Sequence, residues 1–171
     1  MIEVEITDEM VVNARKKARE MGLLKNSIRK GQGAVAGFIG EQIAVKVLGG
    51  EWSNTYEYDM ILPDGTTVDV KTKERSVAPK PHYACSVAKF NTRQKCDMYG
   101  FVSVLKDHSK GWFLGAIPKQ DFFDLAVSVE KNQHDPDNGY DARASCYNIT
   151  IEELQNVQSD GNAVFSERTA G

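Results

Sequence analysis

The chain has 171 residues, 41% hydrophobic and 26% charged, with a net charge of −3, which fits one soluble globular domain over residues 1–171. No apolar run approaches the ~20 residues of a membrane span, and the N-terminus lacks a signal-peptide core, so a cytoplasmic protein with no membrane partner is expected. Three cysteines (Cys85, Cys96, Cys146) and three histidines (His82, His108, His134) lack zinc or nucleophile spacing, which argues against a zinc hydrolase or a Cys–His enzyme and for a reducing setting.

The small net charge hides an uneven distribution. Residues 15–30 hold seven basic residues against Glu20 alone, and residues 71–95 hold seven against Glu74 alone. From Asp121 onward, ten acids face three bases. Local basic patches bear on nucleic-acid binding more than the total does.

Residues 1–6 read as a short extended lead. Thr7 then caps a helix that carries Asp8 and Glu9 at its positive end, runs to about Met21 and stops at Gly22. Its basic face, Arg15, Lys16 and Arg19, is either solvated or turned toward phosphate. Ser27 reads as a cap or turn, and Gly31-Gln32-Gly33 leads into a second helix, Ala34–Leu48, closed by Gly49-Gly50. Ala34, Gly37, Phe38, Ala44, Val45 and Leu48 form an apolar stripe with Glu41 in its middle. A carboxylate so placed is paired, protonated or bound to a cation, unless it points out through a gap. Gly33, Gly37 and Gly40 predict close approach of this helix to a sheet.

Next comes a hairpin. Residues 51–62 form its first strand, Pro63-Asp64-Gly65 the turn, and a second strand ends near Arg75. Val68 and Val70 fall on one face of that strand; Asp69, Lys71 and Lys73 fall on the other. Symmetry about Asp64 makes paired positions sum to 128 and sets Asp59 opposite Asp69, with Cβ atoms about 5 Å apart. Two acids and a lysine on one face read as a solvated ion pair or as a divalent-metal site with a positive group beside it.

Pro79 and Pro81 make residues 76–81 a loop, followed by a third strand at 83–87 and a short polar, basic helix at 89–97. His82 and Tyr83 are placed to touch bases or sugars, or to pack. Residues 98–105 read as a buried central strand, 111–117 as another strand and 118–126 as a helix. Residues 131–141 read as an exposed loop; Asp135, Asp137 and Asp141 lack the order of a calcium loop. An edge strand at 146–149, a helix at 151–157 capped by Thr150 and a polar tail complete the chain.

Asp59, nine intervening residues and Asp69-Val70-Lys71 resemble the PD-(D/E)xK signature of the restriction-endonuclease-like nuclease superfamily, with Tyr58 where proline is usual. Gly40-Glu41 is similar to the Gly-Glu helix that supplies an upstream acid in many members. No Gln-x-x-x-Tyr follows at Gln94, so the RecB-like branch is not indicated. The resemblance implies an α/β (α+β) fold with an αβββαβ core over about residues 33–105. Its central mixed sheet would be flanked by helices, preceded by the helix at 8–21 and followed by an extension at 118–171.

The activity implied is Mg²⁺-dependent hydrolysis of DNA phosphodiesters, endonuclease rather than exonuclease, in a small phage or mobile-element enzyme acting in the host cytoplasm. Mn²⁺ would be a substitute, and a homodimer is left open. Hard carboxylate oxygens suit Mg²⁺, which activates water and neutralises the scissile phosphate. Asp59 and Asp69 would be its main ligands, the Val70 backbone carbonyl another, and Glu41 a ligand directly or through water. Lys71 would orient the attacking water. Lys73 reads as a phosphate contact or a solvated charge, and Arg75, Lys80, Lys89, Arg93 and Lys95 complete the nucleic-acid-binding set. A DNA-binding or assembly protein on the same fold, and an α/β protein with merely structural acids, are the alternatives.

Overall fold

The computed structural model describes residues 1–21, 34–53, 55–135 and 140–160. The readings at Gly22, Ser27, Gly31-Gln32-Gly33, Asp137 and the C-terminal tail lie outside these residues. Strand β1 (Ile2–Glu5) leads into helix α1 (Asp8–Met21). Thr7 Oγ1 accepts from Met10 N at 3.2 Å, the expected N-cap. Helix α2 (Ala34–Leu48) has the expected bounds, and it ends as Gly49, at φ +72°, donates to the Val45 carbonyl.

The expected first hairpin strand is broken in two. Strand β2 (Glu51–Trp52) folds back antiparallel on β3 (Met60–Ile61). The polar residues between them compete for the backbone: Thr55 Oγ1 accepts from Glu57 N and Tyr58 N and donates to Tyr58 O. Strand β3 then pairs with β4 (Thr67–Arg75) at Met60↔Val68 and Ile61↔Thr67, the expected register.

Strand β5 (Ala84–Ala88) and a single 3-10 turn at Lys89–Asn91 follow, the turn replacing the expected basic helix. Next come β6 (Met98–Leu105), β7 (Lys110–Pro118), helix α3 (Lys119–Leu125) and β8 (Val127–Val129). The stretch read as an exposed loop contains a small pair, β9 (His134–Asp135) and β10 (Tyr140–Asp141). Strand β11 (Cys146–Thr150) and helix α4 (Ile151–Asp160) end the described chain. Thr150 and Glu153 close a capping box at the start of α4, each side chain accepting from the other's backbone N–H.

The main sheet runs β1-β7-β6-β4-β3-β2, with β4 and β6 parallel and the other neighbours antiparallel. Two expectations are corrected here. Strand β5 does not continue this sheet but joins β11 and β8 in a second one. There β11 is the middle strand, not an edge. Prolines 79 and 81 redirect the chain before β5 can return to β4, since neither can donate to a ladder.

On one face of the main sheet, α1 and α2 bury Ile39, Ile43, Ala44 and Leu48 against Val68, Val70, Val102 and Phe113. On the other face, Tyr99, Phe101 and Ile117 pack against Val87, Phe122, Ile149 and Leu154 of the second sheet and the later helices. The result is a mixed α+β architecture. No described helix is long and apolar enough to cross a membrane.

Ile39 and Ile43 extend the buried face of α2, and Phe38, Ala44 and Leu48 of the expected stripe are buried around Glu41, which is itself partly buried. Gly40 meets β4 directly, where an added Cβ would come within 1.9 Å of Thr72 Oγ1. Gly37 has open space instead.

Candidate active site

Three acids and a lysine come together where β3 leaves β4. The contact between Gly40 and Thr72 presses α2 onto β4 and carries Glu41 to this edge. Glu41 Oε2 accepts from the indole N–H of Trp52 at 2.6 Å, so the folded-back β2 supplies its partner.

Asp59 lies one step beyond the last β3–β4 pair. Its N–H donates to Val68 O at 3.0 Å, so it does not continue the ladder to a pairing with Asp69. Its carboxylate instead takes the N–H of Val70 at 2.7 Å. The chain turns away at Thr55, and that N–H would otherwise lack a strand partner. The Val70 carbonyl points to the same edge, because both polar groups of a strand residue face one side.

Asp69 and Lys71 project from the face of β4 opposite Val68 and Val70, as alternation predicts. Asp69 is 3% exposed. Its Oδ2 lies 2.6 Å from Lys71 Nζ, an ion-pair contact without hydrogen-bond geometry, and this buried oxygen has no hydrogen-bond donor. Lys71 Nζ also donates to Gln94 Oε1 at 3.2 Å, while Gln94 Nε2 donates to Tyr56 O at 2.7 Å. Gln94 thus ties Lys71 to the loop that carries Asp59.

Crowding sets the electrostatics. Burial pushes Glu41 up from its ordinary 4.5 to about 7, against the Trp52 hydrogen bond and the charge of Lys17, which favour its ionised form. Asp59 is raised well above the usual carboxylate range, first by burial and then by the charges of Glu41 and Asp69. The Val70 N–H offsets part of that rise. The three carboxylates thus act on one another's ionisation.

Among the described residues, no three acid, histidine or cysteine side chains are arranged to hold a metal ion. Each acid turns to a protein partner: Trp52 for Glu41, Val70 N–H for Asp59, Lys71 for Asp69. The donor set nevertheless suits Mg²⁺, being hard carboxylate oxygens gathered at one end of β4, with Asp69 buried.

The basic residues separate into two groups. Lys73 Nζ donates to Ala84 O and Ser86 Oγ, and Arg75 donates to Ser103 Oγ and Ala84 O while its guanidinium covers the Tyr83 ring. Both hold β5 to β4, and Tyr83 packs. With Lys71 they line a cavity of about 30 Å³, far too small for a nucleotide. Lys89 is paired with Glu130. Lys80, Arg93 and Lys95 are exposed.

Trp52, Gln94 and Lys17 belong to the site and escape a reading of the sequence. The signal for Lys17 is its place three residues after Ala14, the buried contact of α1, while Arg15, Lys16 and Arg19 are exposed. Trp52 and Gln94 carry no such periodic signal. Comparison with known proteins finds no matching family model and no similar curated protein.

Proposed function

We propose that this protein is a divalent-metal-dependent nuclease, an endonuclease acting on DNA phosphodiesters, built on a restriction-endonuclease-like core. The observation that carries the reading is the convergence of Glu41, Asp59 and Asp69 with Lys71 at the open edge of β4. The order of elements agrees in its first part: β2, β3 and β4 lie in one sheet between α2 and β6, while β5 departs and a 3-10 turn stands where the core's second helix is expected.

Asp59, Asp69, the Val70 carbonyl and Glu41 would hold Mg²⁺ or Mn²⁺. The chemistry supplied by the bound ion is activation of water and neutralisation of the scissile phosphate. Lys71, held by Asp69 and Gln94, would orient the attacking water and stabilise charge growing on the phosphate. Exposed Lys80, Arg93 and Lys95 offer charge to the DNA backbone, so binding should weaken steeply with salt.

One observation favours a second reading. Each acid already has a protein partner, as expected of a DNA-binding or assembly protein that keeps the fold without catalysis. Incubation of plasmid and oligonucleotides with Mg²⁺ separates the two. Cleavage by the wild type that is lost in Asp69→Asn and Lys71→Ala supports the nuclease. Binding without cleavage supports the second reading, and equal cleavage by all three proteins removes the catalytic assignment. A melting temperature that rises with added Mg²⁺ is expected as well, because an ion that binds the folded state stabilises it by mass action.

A further inference from the structure

Lys71 answers Asp69, but the charge that faces Glu41 and Asp59 comes from a different element. Lys17 of α1 places Nζ 2.8 Å from the Trp52 ring centroid and 5.0 Å from that of Phe38. The N–H at the edge of the same indole is 2.6 Å from Glu41 Oε2. Phe38 meets Trp52 edge-on, with centroids 6.5 Å apart. The indole therefore carries a cation on its electron-rich face and an anion at its N–H edge. Burial lowers the pKa of the Lys17 ammonium, while the charges of Glu41, Asp59 and, from its own helix, Glu20 pull it back up. A partly buried ammonium loses hydration, and the ring and these acids compensate for it.

We propose that Lys17 is the resident counter-charge of the acid site, sharing Glu41 and Asp59 with an incoming divalent cation and setting how tightly that cation is held. The proposal rests on the reading of the acids as a cation site. Helix α1 then tunes a centre whose acids lie on α2 and in the hairpin. The unit charge of Lys17 opposes the ion, so its removal tightens binding at a pH well above the value of about 7 at which Glu41 loses its proton. A side chain that only packed on Trp52 would have no such effect.

The test titrates MgCl₂ and MnCl₂ into the wild type, Lys17→Met and Lys17→Arg, following both the melting temperature and tryptophan emission. Trp52 lies between Lys17 and Glu41 and reports directly, whereas Trp112 is buried in the other core. Methionine keeps the packing on the indole and removes the charge. For Lys17→Met the half-saturating metal concentration should fall about tenfold, with Lys17→Arg close to wild type. Equal midpoints in Lys17→Met and wild type, with a saturable wild-type response, overturn the role of Lys17 and leave the cation site standing. No saturable response in any of the three proteins overturns the cation site and this proposal with it.

Discussion

The two halves of β4 carry one sequence pattern and do different work. Asp69 and Lys71 in the first half, and Lys73 and Arg75 in the second, all alternate onto the same face. In the first half β3 ends early, and the open edge admits Asp59 and, from α2, Glu41. In the second half β5 lies across the strand, and Ala84 O, Ser86 and Ser103 take up the cations. A charged residue on a strand gains its role from what lies opposite. Lys71 meets Asp69 and Gln94, whereas Lys73 and Arg75 meet a carbonyl and hydroxyls of β5 and β6.

The largest expected effect breaks the first half alone. Lys71→Ala should lower Mg²⁺-dependent cleavage by about 100-fold or more, while circular dichroism stays at the wild-type signal. Changes in the second half should do the reverse. Arg75→Met removes two hydrogen bonds and the cover over Tyr83, so urea melts should show a loss of about 1–3 kcal/mol. Its cleavage rate per folded molecule should stay within a few-fold of wild type. A comparable loss of activity from Arg75→Met would erase the distinction between the halves.

Gly40→Ala sharpens the comparison from the helix side. The new Cβ has no room against Thr72, and the overpacking should cost about 1–3 kcal/mol while moving Glu41 off the edge. Stability and metal response should therefore fall together, which neither Lys71→Ala nor Arg75→Met is expected to produce.

The smallest effect is one of pH. Glu41 is held at about 7 in the fold against an ordinary 4.5, so within that window the folded state keeps a proton that the unfolded chain has lost. Stability is fully present below the ordinary value, falls as pH rises to about 7, and then levels off. Asp59, also raised, adds in the same direction. Melting temperatures in low salt should decline over this range, and Glu41→Gln should flatten the decline. An unchanged slope in Glu41→Gln would place the coupling elsewhere.

Much of the local structure was legible in the sequence. Thr7 and Thr150 start their helices and Gly49 ends one as capping chemistry requires, and the even and odd residues of β4 divide between its faces as period two demands. The β3–β4 register follows from the turn at Pro63-Asp64-Gly65. These features depend on neighbours a few residues away, so the sequence determines them by itself. The destination of β5, the break between β2 and β3, and the contacts of Trp52, Gln94 and Lys17 depend on pairs 11 to 38 residues apart or on which sheet a strand joins. No local periodicity encodes such pairs.

The acids were therefore visible as residue types at a suggestive spacing, and only the tertiary structure decided how they meet. Asp59 does not pair across the ladder with Asp69. It ends the strand and turns its carboxylate to the Val70 N–H, because the edge of β4 leaves that donor without a strand partner.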